Sequence, residues 1–252
     1  MSLIACDSNP LGITQISSCD HSPNFKTGLP VTCQVSLHNS ENLTLWLDAN
    51  DLGTVNSENQ TDIDSWSDKS GNSTLFTPTA QKAILLKKQV ASRSAIKWID
   101  SLTEYISSPL TNYSENQDFT LAVTFKSSSI NIDMLEINNG TNNGFSIIVS
   151  SDGSLIISLN SSDSFNSPKI IKDEVVSKII LAFKSSTKEL FIYGDDNQIG
   201  TKIITGNSVS WENLIVSGSE GLELYELLIY SDHLSDFEIT ELQTYLNNKW
   251  GF

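Results

Sequence analysis

At 252 residues and 38% hydrophobic content, the chain can bury a sizeable core and is too apolar for wholesale disorder. Thirty acidic residues against 15 basic ones give a net charge of -15, and Arg93 is the only arginine. This composition excludes a basic nucleic-acid footprint and attraction to anionic membranes, and no run reaches the roughly 18 apolar residues of a membrane helix.

Residues 1–40 differ in character from the rest of the chain. They hold all three cysteines (Cys6, Cys19 and Cys33), three of the six prolines, and His21 and His38. An odd cysteine count leaves at least one thiol unpaired within the chain. With His21 the cysteines supply four potential zinc ligands, but without Cys-x-x-Cys spacing, so one disulfide or three free thiols is the expectation. Met1-Ser2 leaves no room for the basic and apolar regions of a signal peptide. Leu3-Ile4-Ala5-Cys6 resembles a lipoprotein cleavage box that lacks its apolar lead-in. Periodicity is weak apart from a short strand at Val31–Leu37. The reading is an N-terminal arm, residues 1–40, that attaches to a protein partner through a segment bearing Cys6, Cys19 and Cys33, followed by a domain over 41–252.

From residue 41 the pattern becomes β-rich. Leu43, Leu45 and Leu47 alternate with Thr44, Trp46 and Asp48. In Phe119–Phe125 apolar residues fall on every second position, which predicts a half-buried strand. Phe145, Ile147 and Val149 repeat the pattern, as do Leu155, Ile157 and Leu159. Asp152-Gly153 between the two sets favours the positive φ of a tight hairpin. Strands are expected around Ile179–Phe183, Glu189–Tyr193 and Trp211–Val216. The stretch Leu222–Tyr230 is apolar on both faces near its end and predicts burial on both sides. Asp195-Asp196-Asn197 reads as a hairpin turn, and Gly218-Ser219-Glu220-Gly221 as a turn. One helix is expected at the C-terminus, where Ser235 and Glu238 form a capping box and Phe237, Leu242, Tyr245, Leu246 and Trp250 approximate one face.

Three segments carry a family resemblance. Leu45-Trp-Leu-Asp-Ala-Asn-Asp-Leu52, Trp66-Ser-Asp-Lys-Ser-Gly-Asn72 and Glu223–Tyr230 with the closing helix to Gly251 occur in this order. Together they resemble the concanavalin A-like lectin/glucanase superfamily, particularly its laminin-G-like modules, over residues 41–252. The resemblance implies an all-β, two-sheet antiparallel jelly-roll sandwich with a C-terminal helix and an N-terminal arm. It leaves function open, because lectins, enzymes and structural modules share the fold.

Glucanases of that superfamily carry Glu-x-Asp-x-(x)-Glu on one strand, the first carboxylate as nucleophile and the last as general acid/base. Asp133 and Glu136 match the second and third places, but Asn131 holds the first, and an amide is not a carboxylate nucleophile. Asp133–Ile137 therefore reads as an ordinary strand, and no catalytic residue is assigned. For ligand binding, Trp66 offers a flat ring to a sugar and Asp68 and Asn72 offer hydrogen bonds. The competing reading packs Trp66 and bonds Asp68 to backbone N–H groups. Asp48, Asp51 and Asp68 are the candidates for calcium, the one cofactor the acidic loops suggest. His233 sits in no recognisable motif.

The functional expectation is a non-enzymatic surface module of a larger assembly, such as a virion (phage) decoration, fibre or tail protein. It would be held by residues 1–40, face outward from the virion surface and touch host glycans. A secreted or cell-surface lectin or adhesin and a glycoside hydrolase are the alternatives. A homo-oligomer is compatible with each.

Overall fold

The structure, a computed structural model, describes residues 42–57, 62–90, 93–99, 104–107, 117–127, 132–138, 145–159, 163–172, 175–205, 213–217 and 220–252. The cysteine-bearing arm, Val31–Leu37, Asn131, Trp211, Gly218 and Ser219 lie outside the described residues. Asn42–Leu234 is one compact unit, built from two antiparallel sheets as the jelly-roll reading expects.

The strands of the first sheet are β1 (Leu43–Asp48), β5 (Ile84–Val90), β6 (Arg93–Lys97), β8 (Phe119–Lys126), β13 (Val176–Lys184), β14 (Glu189–Gly194), β15 (Asn197–Ile203) and β17 (Glu223–Tyr230). Its order is β15-β14-β13-β8-β17-β6-β5. On the far side of β17 two strands share one edge in tandem: β6 pairs with Glu223 and Leu224, and β1 with Glu226–Tyr230. The strands of the second sheet are β2 (Val55–Asn56), β3 (Ser65–Ser67), β4 (Leu75–Pro78), β7 (Glu104–Ser107), β9 (Ile132–Asn138), β10 (Phe145–Val149), β11 (Ser154–Leu159), β12 (Asp163–Lys169) and β16 (Asn213–Ser217). They run in the order β12-β11-β10-β9-β16-β7-β4-β3-β2.

The inner faces of both sheets form one apolar core that includes Leu45, Trp66, Phe76, Trp98, Phe125, Ile147, Ile157, Leu181, Leu214 and Leu227. The alternation of β1 and β8 is the expected one, but the half-buried prediction is corrected. Thr44 and Trp46 on β1, and Thr120, Ala122 and Thr124 on β8, are buried along with their apolar neighbours. All eight residues of β17 are buried, as its two-sided apolar end predicts. Between residues 55 and 107, β2, β3, β4 and β7 escape the sequence because they have two to four residues, and β5 and β6 because their alternation is broken. β12 escapes because of its polar residues and Pro168, which an edge strand tolerates.

Turn chemistry follows the sequence closely. Gly153 has φ 84°, and a Cβ there would fall 2.4 Å from the Ile171 carbonyl oxygen. Ser154 donates from its hydroxyl and its backbone N–H to Asp152, and these bonds hold the Asp152 carboxyl down at about 2. Asp195 and Asp196 both take positive φ (47° and 66°) between Gly194 and Asn197, a two-residue hairpin of the primed kind.

The helix α1 (Asp236–Trp250) lies outside the Asn42–Leu234 unit. Ser235 and Glu238 close the expected capping box, and Gly251 ends the helix at φ 78°. Phe237 is corrected: it is 61% exposed. It sits about 140° around the helix from Leu242, and Ile239 takes its place on the buried side with Leu242, Leu246 and Trp250.

Candidate functional site

The loop after β3 works as a clamp on β1. Among the described strands β1 pairs with β17 alone, so its other edge offers backbone groups to the loop. Asp68 Oδ1 accepts from Trp46 N at 2.8 Å and from Ser70 N at 2.8 Å, while Ser70 Oγ donates to Asp68 Oδ2 at 2.6 Å. Lys69 N donates to the Trp46 carbonyl at 2.8 Å. Asn72 Nδ2 donates to the carbonyls of Leu43 and Thr44 at 3.1 and 2.9 Å. One loop thus stands in for a neighbouring strand. Trp66, at 2% exposure, belongs to the core and presents no open ring to a sugar. The geometry here is that of the packed-Trp, backbone-bonding reading.

Asp48 and Asp51 converge on an ammonium group. Lys69 Nζ is 2.9 Å from Asp51 Oδ2, 3.3 Å from Asp48 Oδ2 and 4.4 Å from the centroid of the Trp46 ring. Burial works against the charged lysine, but the Asp51 hydrogen bond and the charges of Asp48 and Asp51 outweigh it and raise its pKa above 10.5. Trp46 Nε1 in turn donates to buried Glu226 at 2.8 Å. The Asp48–Asp51–Asp68 set does not fit calcium: two of its members face Lys69 and the third is engaged with N–H and O–H donors. Among the described residues no group of three or more His, Cys, Asp or Glu is placed to hold a metal ion.

The second region is the outer face of the nine-stranded sheet. The central strands of the other sheet are buried on both faces, whereas the outward side chains described here are at least partly open. Cα partners in adjacent strands share a face, so the register defines rows across the sheet. One row joins Thr77, Ile106, Ile215, Glu136, Ser146, Ser158 and Ser164, crossing seven strands. A second joins Asp133, Ile148, Ile156 and Asn166. In these rows Ile106, Ser146, Ile148, Ile156, Ser158 and Ile215 are half-buried, and Thr77, Ser164 and Asn166 are exposed.

Asp133 and Glu136 are three residues apart and strict alternation would separate them. A register shift between the pairs Ile147↔Leu135 and Ile148↔Asp133 leaves Met134 as an extra residue. The bulge returns both acids to the outer register, opposite Ile148 and Ser146, while Leu135 pairs with buried Ile147. The acids were legible in the sequence. The row of hydroxyls and isoleucines was not, because it is assembled from strands far apart in the chain. Clearly perturbed titrating groups include Asp152 in a turn, Lys69 on the clamp, and Tyr105 in the core, where burial pushes its phenol up. His233 packs edge-on against Phe191 with ring centroids 5.4 Å apart.

No family model and no curated protein sequence matches the chain. Solved structures do match. A Trypanosoma rangeli sialidase in complex with sialic acid aligns with a TM-score of 0.61 at 10% identity, covering 88% of this chain and 35% of the sialidase. The receptor-binding domain of botulinum neurotoxin type G aligns with a TM-score of 0.59 at 12% identity over 81% of this chain and 51% of that domain. A GH54 α-L-arabinofuranosidase mutant soaked with 4-nitrophenyl α-L-arabinofuranoside aligns with a TM-score of 0.58 at 13% identity over 84% and 60%. The chain therefore spans about a third to three-fifths of these neighbours. At such identities the likeness establishes the β-sandwich fold.

Proposed function

We propose that this chain is a carbohydrate-binding β-sandwich module without hydrolytic activity, and that the glycan lies on the open face of the nine-stranded sheet. The row from Thr77 to Ser164 carries the reading: a partly open surface of hydroxyls, interleaved with isoleucine methyls and one carboxylate position, with a second, Asp133, in the neighbouring row. Hydroxyls and carboxylates exchange hydrogen bonds with sugar hydroxyls, and aliphatic patches take their C–H faces. The sialidase in complex with sialic acid and the arabinofuranosidase soaked with an arabinofuranoside lend support, since part of each shares this fold and each is a protein solved with a sugar ligand.

The hydrolase reading has one observation in its favour, the Met134 bulge that brings Asp133 and Glu136 onto one face. Against it stands Asn131 in the nucleophile place of the motif. One experiment separates the two. The full chain is screened on a glycan array and the glycans bound are assayed for reducing-sugar release. Binding that Ser146→Tyr or Ile156→Tyr abolishes at unchanged Tm, with no sugar released, supports a binding module. Release lost in Glu136→Gln makes the chain an enzyme. Binding untouched by both tyrosines moves the site elsewhere.

We further propose membership of the concanavalin A-like superfamily, on the segments Leu45–Leu52, Trp66–Asn72 and Glu223–Gly251. We also propose a place on the surface of a larger assembly such as a virion, anchored by residues 1–40. The acidic sandwich and the concentration of cysteines in the arm support the latter. Incorporation of residues 41–252 as efficient as that of the full chain refutes the anchoring role.

A further inference from the structure

The row that runs from Thr77 to Ser164 has a length and a repeat. Its members sit on seven neighbouring strands, from β4 through β7, β16, β9, β10 and β11 to β12. Paired strands lie about 4.8 Å apart, so the row crosses about 29 Å of sheet. Thr77 and Ser164, at its two ends, are exposed, and Ile106, Ile215, Ser146 and Ser158 between them are half-buried. Ser146, Ser158 and Ser164 hold one register on three successive strands, each a strand spacing from the next. Ile148 and Ile156 repeat beside them, two residues along β10 and β11.

A pocket for one terminal sugar is concave and buries most of that sugar's surface. The described members of this row are instead shallow, and a shallow row gains little from each contact and needs many of them. One ring of a linear polysaccharide advances its chain by close to one strand spacing. Successive rings laid across the strands therefore bring the same hydroxyl to successive serines, while the neighbouring isoleucines take the C–H faces. We infer that this face takes an internal stretch of a linear polysaccharide, about six rings long, running across the strands. The inference rests on the glycan-binding reading and names its ligand class.

A ring that adds one net hydrogen bond tightens binding by about fivefold. The test is calorimetric titration of the full chain with oligosaccharide ladders from cellulose, xylan, mannan and chitin, disaccharide to decasaccharide, beside a glycan array of branched and terminal epitopes. Affinity that climbs about fivefold per ring in one ladder and levels off near the length of the row supports the inference. Thr77→Arg and Ser164→Arg, at the exposed ends, should each make affinity level off at shorter oligomers and leave trisaccharide affinity unchanged. A levelling-off that neither variant moves overturns the inference. So does full affinity reached by a disaccharide, or an array signal from branched or terminal epitopes with every ladder silent, and both leave the glycan site in place. Silence on ladders and array alike overturns the glycan-binding reading itself and this inference with it.

Discussion

Replacing Asp68 with alanine tests whether the loop after β3 is a clamp or a ligand site. The carboxylate accepts from Trp46 N and Ser70 N and from the Ser70 hydroxyl, at 2.8, 2.8 and 2.6 Å. Ser70 is half-buried and its donors can turn to water. Trp46 is 9% exposed, so its N–H loses its partner in a place water reaches poorly. Stranding such a donor costs about 1–3 kcal/mol, and loosening the two Ser70 bonds adds about 1 kcal/mol. A total of about 3 kcal/mol lowers Tm by about 6–12 °C in a domain of this size. Asp68→Asn keeps one acceptor oxygen and should lose about half as much. Thermal melts followed by far-UV circular dichroism give the answer. A Tm within about 2 °C of the wild type, together with lost glycan binding, would refute the clamp and restore Asp68 as a ligand contact.

Two further outcomes concern packing and charge. A Cβ at Gly200 would sit 2.3 Å from Cζ of Phe165, where edge strands β15 and β12 meet, so Gly200→Ala should cost about 1–3 kcal/mol. The double variant Gly200→Ala/Phe165→Leu should recover part of that loss in chemical denaturation, and strictly additive losses would show that the ring is not the obstacle. Lys69 has its pKa raised above the ordinary 10.5, so its stabilising effect is full below that value and is lost as pH climbs through the raised one. The Tm gap between wild type and Lys69→Ala should be constant from about pH 7 to 9 and close above 10.5. A gap that persists unchanged at still higher pH would mean the ion pairs with Asp48 and Asp51 contribute nothing.

Local chemistry was readable in the chain itself. The period-two runs at Phe119–Phe125 and Phe145–Val149, the Asp152-Gly153 turn, the Asp195-Asp196 turn and the Ser235/Glu238 capping box each need only a few neighbouring residues to act. Their physics is short-ranged, so the sequence by itself determined an all-β chain closed by one helix.

The rest depends on partners distant in sequence. Trp66 could be platform or core until Phe76 and Val55 paired with it inside the second sheet. Asp48 and Asp51 looked like cation ligands until folding brought Lys69 to both, some twenty residues along the chain. Asp133 and Glu136 acquired a common face only through the extra residue at Met134, which is defined against β10. The open row itself draws on seven strands, from Thr77 through Ile215 to Ser164, and no local pattern encodes which serines and isoleucines will stand abreast. Strand order and register, set by how the two apolar faces meet, decided where the polar residues were left.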